Sequence, residues 1–176
     1  MKLEQALARY LELNIPDLHV FKDDLAHTAA GYPYPLLLIT EIDARRKQIG
    51  TGPYDALDGS IERKWWNIER TLRFTVRSPA DKQRDGNTIV HSLIEQIDGE
   101  LQSLFRIGSV ELPVGSDSVH IAMANHSGFH ELPAITDQLP FVYQRTVSWR
   151  FQEMTSQEFE GVPPLIAVHF EMGEIQ

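Results

Sequence analysis

The sequence predicts an α+β fold, a mainly antiparallel β-sheet packed by one long helix, with an N-terminal helix beside it. Three observations predict it. Arg63 to Arg77 and Phe141 to Met154 alternate polar and apolar side chains with the period of half-buried antiparallel strands. Val90, Leu93, Ile94, Ile97, Leu101 and Leu104 recur as one stripe at helical spacing. Leu3, Ala6, Leu7, Tyr10 and Leu11 do the same at the start of the chain.

Taken in order, residues 2 to 13 form the first helix, and Asn14, Ile15 and Pro16 end it. "LHVFKD" follows as a short strand. The run "LLLITEIDARR" reads as a strand that is apolar at its start and charged at its end. Pro33 and Pro35 stand just before it, where no ladder donor is lost. "QIGTGPYDALDGSI", Gln48 to Ile61, is rich in Gly, Asp and Pro and predicts a mobile loop at about 48–61.

In the long strand that follows, Trp66, Ile68, Leu72, Phe74 and Val76 share one face, which Arg70 interrupts. Arg63, Asn67, Glu69, Thr71, Arg73 and Thr75 lie on the other. Trp65 and Trp66 therefore point oppositely, so one is expected in the core and the other at a protein interface. Ser78 is expected to cap the long helix and Pro79 to fit its first turn. Gly86 weakens those turns, so the regular helix should start near Asn87 and end near Phe105 to Gly108.

"SVELP" and "SVHIAMAN" read as short strands and "HSGFHELPAITDQLP" as a loop. In "FVYQRTVSWRFQEM", Phe141, Tyr143, Val147, Trp149 and Phe151 face one way. Thr146, Ser148, Arg150 and Gln152 face the other. "PPLIAVHFEM" is the last strand, with a short tail after Met172. Neither a repeat nor a low-complexity segment interrupts the chain, so one domain is expected over residues 1–176.

With 176 residues, 42% apolar and 23% charged, the chain has the composition of one soluble domain. Such a domain buries about two-thirds of its surface on folding. No run approaches the roughly 18 apolar residues of a membrane helix. Charged residues interrupt "MKLEQALARYLEL" too early for a signal peptide, so a cytoplasmic location is the default expectation. The absence of cysteine removes thiolate nucleophiles, thiolate metal sites and disulfides together. A formal charge of −9 gains no counterion-release affinity for nucleic acid.

The stretch "LRFTVRSPADKQRDGNTIVHSLIEQI" runs from strand to helix through a polar turn, a place where a phosphate could be cradled. Such a cradle needs closely spaced glycines. This turn has one, and Asp81 and Asp85 would repel an anion while complementing the helix dipole. It reads as a capped helix entry, and Lys82 and Arg84 are not expected to hold a nucleotide or DNA.

"HSGFHE" is the most metal-like cluster. His126 and His130 stand four apart with Glu131 beside them, a spacing that on a helix could hold zinc. Ser127-Gly128 and Leu132-Pro133 point instead to a loop, and no third ligand is placed. A metal-dependent module or enzyme centred on these residues is therefore kept only as an alternative. His19, His27, His91, His120 and His169 are scattered singly, and Asp23-Asp24 and Glu41/Asp43 read as solvated faces. "RKWW", Arg63 to Trp66, could stack bases, but the acidic balance weighs against it. No catalytic constellation stands out. The expectation is no catalytic residue, no metal and no cofactor, and a protein that works through its surfaces.

The order of elements resembles the tail-terminator (neck) proteins of tailed bacteriophages. The likeness rests on the N-terminal helix, the proline-led strand "YPYPLLLITEI", a long loop, and a strand running into a long helix, "FTVRSPADKQ…TIVHSLIEQIDGELQ". Late in the chain, "LPAITDQLPFVYQRTVSWRFQEM" supplies Pro133, Asp137, Tyr143 and Arg145 at the approach to a strand, and "PPLIAVHF" closes the pattern. The resemblance covers about residues 2 to 170.

It implies a structural virion protein that assembles with itself, commonly as a hexameric ring, on the end of a finished tail tube. There it would stop polymerisation and present a surface to the head-completion (connector) protein, while DNA passes through the lumen without specific binding. It implies no catalytic residues and no membrane, and a location in the virion neck after assembly in the host cytoplasm. A tail-tube or baseplate subunit of a similar particle is the alternative within the same class.

Overall fold

The computed structural model describes residues 2–16, 18–21, 34–53, 61–79, 85–136 and 141–160. The elements are α1 (Lys2–Asn14), β1 (His19–Phe21), β2 (Leu36–Pro53), β3 (Ile61–Pro79), α2 (Gly86–Leu104), β4 (Val110–Val114), β5 (Asp117–Glu131) and β6 (Val142–Glu160). Their strands form one sheet in the order β1-β2-β3-β6-β5-β4. β1 runs parallel to β2, and every other neighbouring pair is antiparallel. The fold is α+β with a mostly antiparallel sheet.

The main core cluster sits on one face of that sheet, while Leu36, Leu38, Thr75, Thr146 and Ser148 are buried on the other. Leu72, Phe74 and Val76 of β3 and Val147, Trp149 and Phe151 of β6 are buried side by side. Phe151 meets Phe74 edge-on at 6.3 Å and Phe105 at 5.8 Å. Burying side chains of this size stabilises the fold by about 1.5–3 kcal/mol each. The sequence assigns the covering role to one long helix. The structure divides it: Leu3, Leu7 and Leu11 of α1 enter the same cluster as Val90, Ile94, Ile97 and Leu101 of α2. A second apolar stripe leaves water most effectively over the same sheet face, so the two helices share the cover.

Ser78 and Pro79 do not open a helix. They pair with Tyr143 and Val142 at the end of β3, where ladder bonds to β6 override the local preference for a cap. Asp85 caps α2 instead: its carboxylate accepts from the Asn87 amide at 3.1 Å and from the Thr88 hydroxyl at 2.8 Å. The Thr88 bond, then the Asn87 amide, hold the Asp85 carboxyl below its ordinary range. Gly86 fits because a Cβ there would meet the Pro79 carbonyl, with its carbon at 2.9 Å, and Tyr143 at 3.0 Å. Helix and strand end thus approach closer than any side chain permits.

Two other sequence readings change. Gln48 to Pro53 continue β2 and Ile61 opens β3, where a loop is expected over 48–61; residues 54–60 lie outside the described residues. His126 to Glu131 are strand, because β6 offers a ladder that a Ser-Gly pair can join through a bulge. Gly128 supplies the φ of 141° there. Pro33, Asp81, Lys82, Arg84, Asp137, His27, His169, Asp23-Asp24, the expected last strand and the tail after Met172 lie outside the described residues.

The β3–β6 pairing is unbroken from Ile61↔Glu160 to Pro79↔Val142. Its flanking partners are not so regular: β2 carries bulges at Glu41/Asp43 and Gln48/Gly50, and β5 at Ile121/Met123 and His126/Gly128. None of the described helices is long and apolar enough to cross a membrane.

Candidate interaction surface

β2, β3 and β6 outrun their helical cover. Beyond Thr40 every described side chain of β2 is exposed, and none from Lys64 to Thr71 on β3 is buried. Ile61–Asn67 extend roughly 20 Å past the row where Ile68 pairs with buried Glu153, at the rise of an antiparallel strand. The result is a three-stranded arm. It carries exposed Ile49, Trp65 and Met154, and exposed Ile42 stands in the bulge just below its base. The outer edge of β2 beyond Leu38 meets no neighbour among the described strands. Its two bulges, and the charges of Asp43, Arg45, Arg46 and Lys47, guard that edge against adding a further strand. Contact through the faces of the arm is left as the open route.

The sequence expects one of Trp65 and Trp66 in the core. Neither is there, because both stand on the arm, where no helix is left to bury them. Trp65 is 38% exposed on the side away from the helices. Trp66 is half-buried under the Arg46 guanidinium, 3.9 Å from its ring centre. The buried tryptophan is Trp149.

Arg70, which interrupts the apolar face in the sequence, marks the base of the arm. Its Nη1 donates to Glu41, and its Nε lies 2.6 Å from Glu153 Oε1, a charge contact and not an aligned hydrogen bond. Burial alone would push the guanidinium down, but Glu41 and Glu153 hold it above its ordinary value. At Glu153 burial outweighs the pairing and raises the carboxyl. On the side away from the helices, Arg45–Asp43 and Arg150–Glu69 form pairs at 3.2 Å. Exposed pairs of this kind contribute about 0–1 kcal/mol each.

The histidines singled out by spacing are split. The β5 bulge sets His126 opposite Trp149 and His130 opposite Thr146, which lie on opposite faces of β6. The i, i+4 spacing that would chelate on a helix therefore does not bring these side chains together, and Glu131 follows on the strand opposite Arg145. His126 instead approaches Asp98 of α2 at 3.7 Å, between Phe129 and Trp149. Buried Asp98 accepts from Trp149 Nε1 at 2.9 Å and Gln102 Nε2 at 2.6 Å. His91 contacts Arg145, which lies 5.6 Å from the Phe129 ring. His19 and His120 are exposed. Of the remaining residues carrying the resemblance, Tyr143 is half-buried beside Gly86, and the Pro133 carbonyl accepts from Gln144 at 2.8 Å.

Replacing Asp98 by Ala should cost about 2 kcal/mol, because it strands the buried Trp149 N–H. A lower urea midpoint at unchanged slope is the expected result. An unchanged midpoint would show that the indole finds another acceptor.

A concavity lies near the opposite end of the sheet from the arm tip. Pro16, Pro35, Ile89 and Leu93 line a groove of about 440 Å³ rimmed by Thr88, Ser92 and Gln96. No protein-family model matches this chain, and no curated protein is similar to it by sequence.

Proposed function

We propose that this protein is a structural component of a tailed-bacteriophage particle, a tail terminator that docks as a homo-oligomeric ring, commonly a hexamer, on the tail tube. In this reading it stops polymerisation of the tube protein and presents a surface to the head-completion protein, while DNA passes through the lumen. It acts in the virion neck and assembles in the host cytoplasm, with no catalytic step and no cofactor.

The observation that carries the reading is the arm. A subunit that extends three strands past its own core, with exposed Ile, Trp and Met, has built area that a monomer does not use. The split of His126 from His130 counts against a chelating site there. Electron microscopy of the protein alone and mixed with tail tubes tests the proposal. Closed rings, or density confined to tube ends, are expected. Long open tubes from the protein alone would make it a tube subunit instead.

A further inference from the structure

We infer that the base of the arm is a proton-operated joint: with Glu153 protonated the arm closes against the first turn of α1, and with Glu153 ionised it tilts away and admits water. The joint belongs to the arm itself and stands whatever the arm docks on.

Charged side chains from four elements meet where the helical cover ends. Glu41 of β2, Arg70 of β3 and Glu153 of β6 share the helix side of the sheet. Glu4 of α1 lies close enough for Arg70 and Glu153 to sense its charge. The N-terminal ammonium acts on Glu4 and Glu153, so three carboxylates share two cations. From β5 the residue opposite Glu153 is uncharged Ile121.

Arg70 gives its aligned hydrogen bond to Glu41. Only 9% of Glu153 reaches water, and its Oε1 receives no aligned hydrogen bond among the described residues. An ionised carboxylate so placed is costly. Two changes relieve it. A proton neutralises it where it stands, and a tilt of the arm returns it to water.

The backbone permits the tilt. β2 bulges at Glu41/Asp43, opposite Leu72 and Thr71. β5 bulges at Ile121/Met123, whose partners Glu153 and Gln152 pair with Ile68 and Glu69. Both bulges thus fall in the span of β3 from Ile68 to Leu72, with Arg70 at its middle. β3 and β6 stay paired through that span and move as one piece, so the give falls to the bulged flanks. No described β3 side chain from Lys64 to Thr71 is buried, so little apolar contact holds the arm down beyond the joint.

The direction follows from the same carboxyl. Burial, outweighing Arg70, raises Glu153 above its ordinary 4.5. The closed arm therefore takes up the proton more readily than a tilted one, in which Glu153 meets water. Closure is favoured on acidification and is lost as pH climbs through the raised value. Glu4, which hydrogen bonding holds below its ordinary value against burial, gives up its charge only at lower pH.

The chain has no cysteine, so two can be placed at will. Gln5→Cys on α1 and Ser156→Cys on the arm, both exposed positions, carry nitroxide labels in the full-length protein. Dilution into unlabelled protein confines the reading to distances within one chain. Pulsed electron resonance should give a distance distribution about twice as wide at pH 8 as at pH 4, with an unchanged circular dichroism spectrum. Adding Glu153→Gln, a neutral stand-in for the acid, should leave it narrow at both. Glu69→Gln, on the opposite side of the arm beside Arg150, should leave the pH response as it was.

Equal widths at the two pH values would overturn the inference. A wider distribution at pH 4 would overturn it too, because the ion pair and not the proton would then close the joint. A response that survives in Glu153→Gln would assign it to another group. Should that variant not fold, the midpoint of the parent's own response decides: above pH 4.5 is expected, and below it the inference fails. The assembly reading is untouched by any of these results.

Discussion

Arg70→Met is expected to lower stability by about 3 kcal/mol at pH 7, and by much less at pH 4. Removing one partner from a partly buried ion cluster leaves its counter-charges uncompensated. Here those are Glu41 and Glu153, with Glu4 of α1 close enough to sense the same cation. The pH dependence follows from the signs. Burial already raises Glu153 above its ordinary 4.5, and Arg70 restrains that rise. A raised carboxyl contributes stability that is present below its unfolded value and is lost as pH climbs through the folded one. Without Arg70 the folded value climbs further, so the loss at neutral pH grows.

Glu4 works in the opposite sense. Burial alone would raise it, but hydrogen bonds from the N-terminal ammonium and the backbone, that ammonium's charge and, least of these, the Arg70 charge bring it below its ordinary value. Its contribution is present above the unfolded value and fades as pH falls, and the variant forfeits part of it only at the higher pH. Both effects make the gap in melting temperature between variant and parent narrow on acidification. A gap that stays constant from pH 4 to 8 would mean that the cluster is not what Arg70 stabilises.

Two glycine-to-alanine changes in one helix should have opposite signs. Gly86→Ala drives a methyl into the Pro79 carbonyl, a backbone group that can yield only if β3 or α2 moves. Overpacking of this kind costs about 3 kcal/mol. Gly99→Ala meets nothing within 4 Å on the exposed face of α2 and should gain about 1 kcal/mol from helix propensity. Urea midpoints of the two variants measure both. Destabilisation at both positions would show that α2 as a whole resists alanine, and that the close approach at Gly86 is not the cause.

The periodic parts of the fold were legible. Leu72, Phe74 and Val76 lie on the buried face that their parity assigns, and the stripe from Val90 to Leu101 is the buried side of α2. What failed were boundaries. Gly50, Gly52 and Pro53 are turn formers by local preference, yet they stand in β2 because Trp65, Arg63 and Glu62 offer partners across the ladder. Likewise Ser127-Gly128 reads as a loop until β6 supplies a strand beside it. Pairing between segments far apart in the chain decided both, and periodicity within a window does not report it.

The arm was the least visible feature for a related reason. Residues 63 to 69 alternate like the buried rows beyond them, and nothing local says where the helices stop. Arg70 was the one signal: a cation in an apolar row marks the margin of the cover. At the candidate metal cluster, counting four residues from His126 to His130 omits the bulge between them, and that bulge reverses which face His130 takes.

The unbroken β3–β6 pairing has a mechanical meaning. A pull along the arm loads all of its ladder bonds at once, in shear, whereas a sideways pull on β2 opens its bonds one after another. The bulged outer strands can bend where the central pair cannot. The molecule is therefore a strut, stiff along one axis and compliant across it. Tension applied at the tip reaches Pro79 and the α2 cap with little loss, while sideways distortion is absorbed at the bulged flanks.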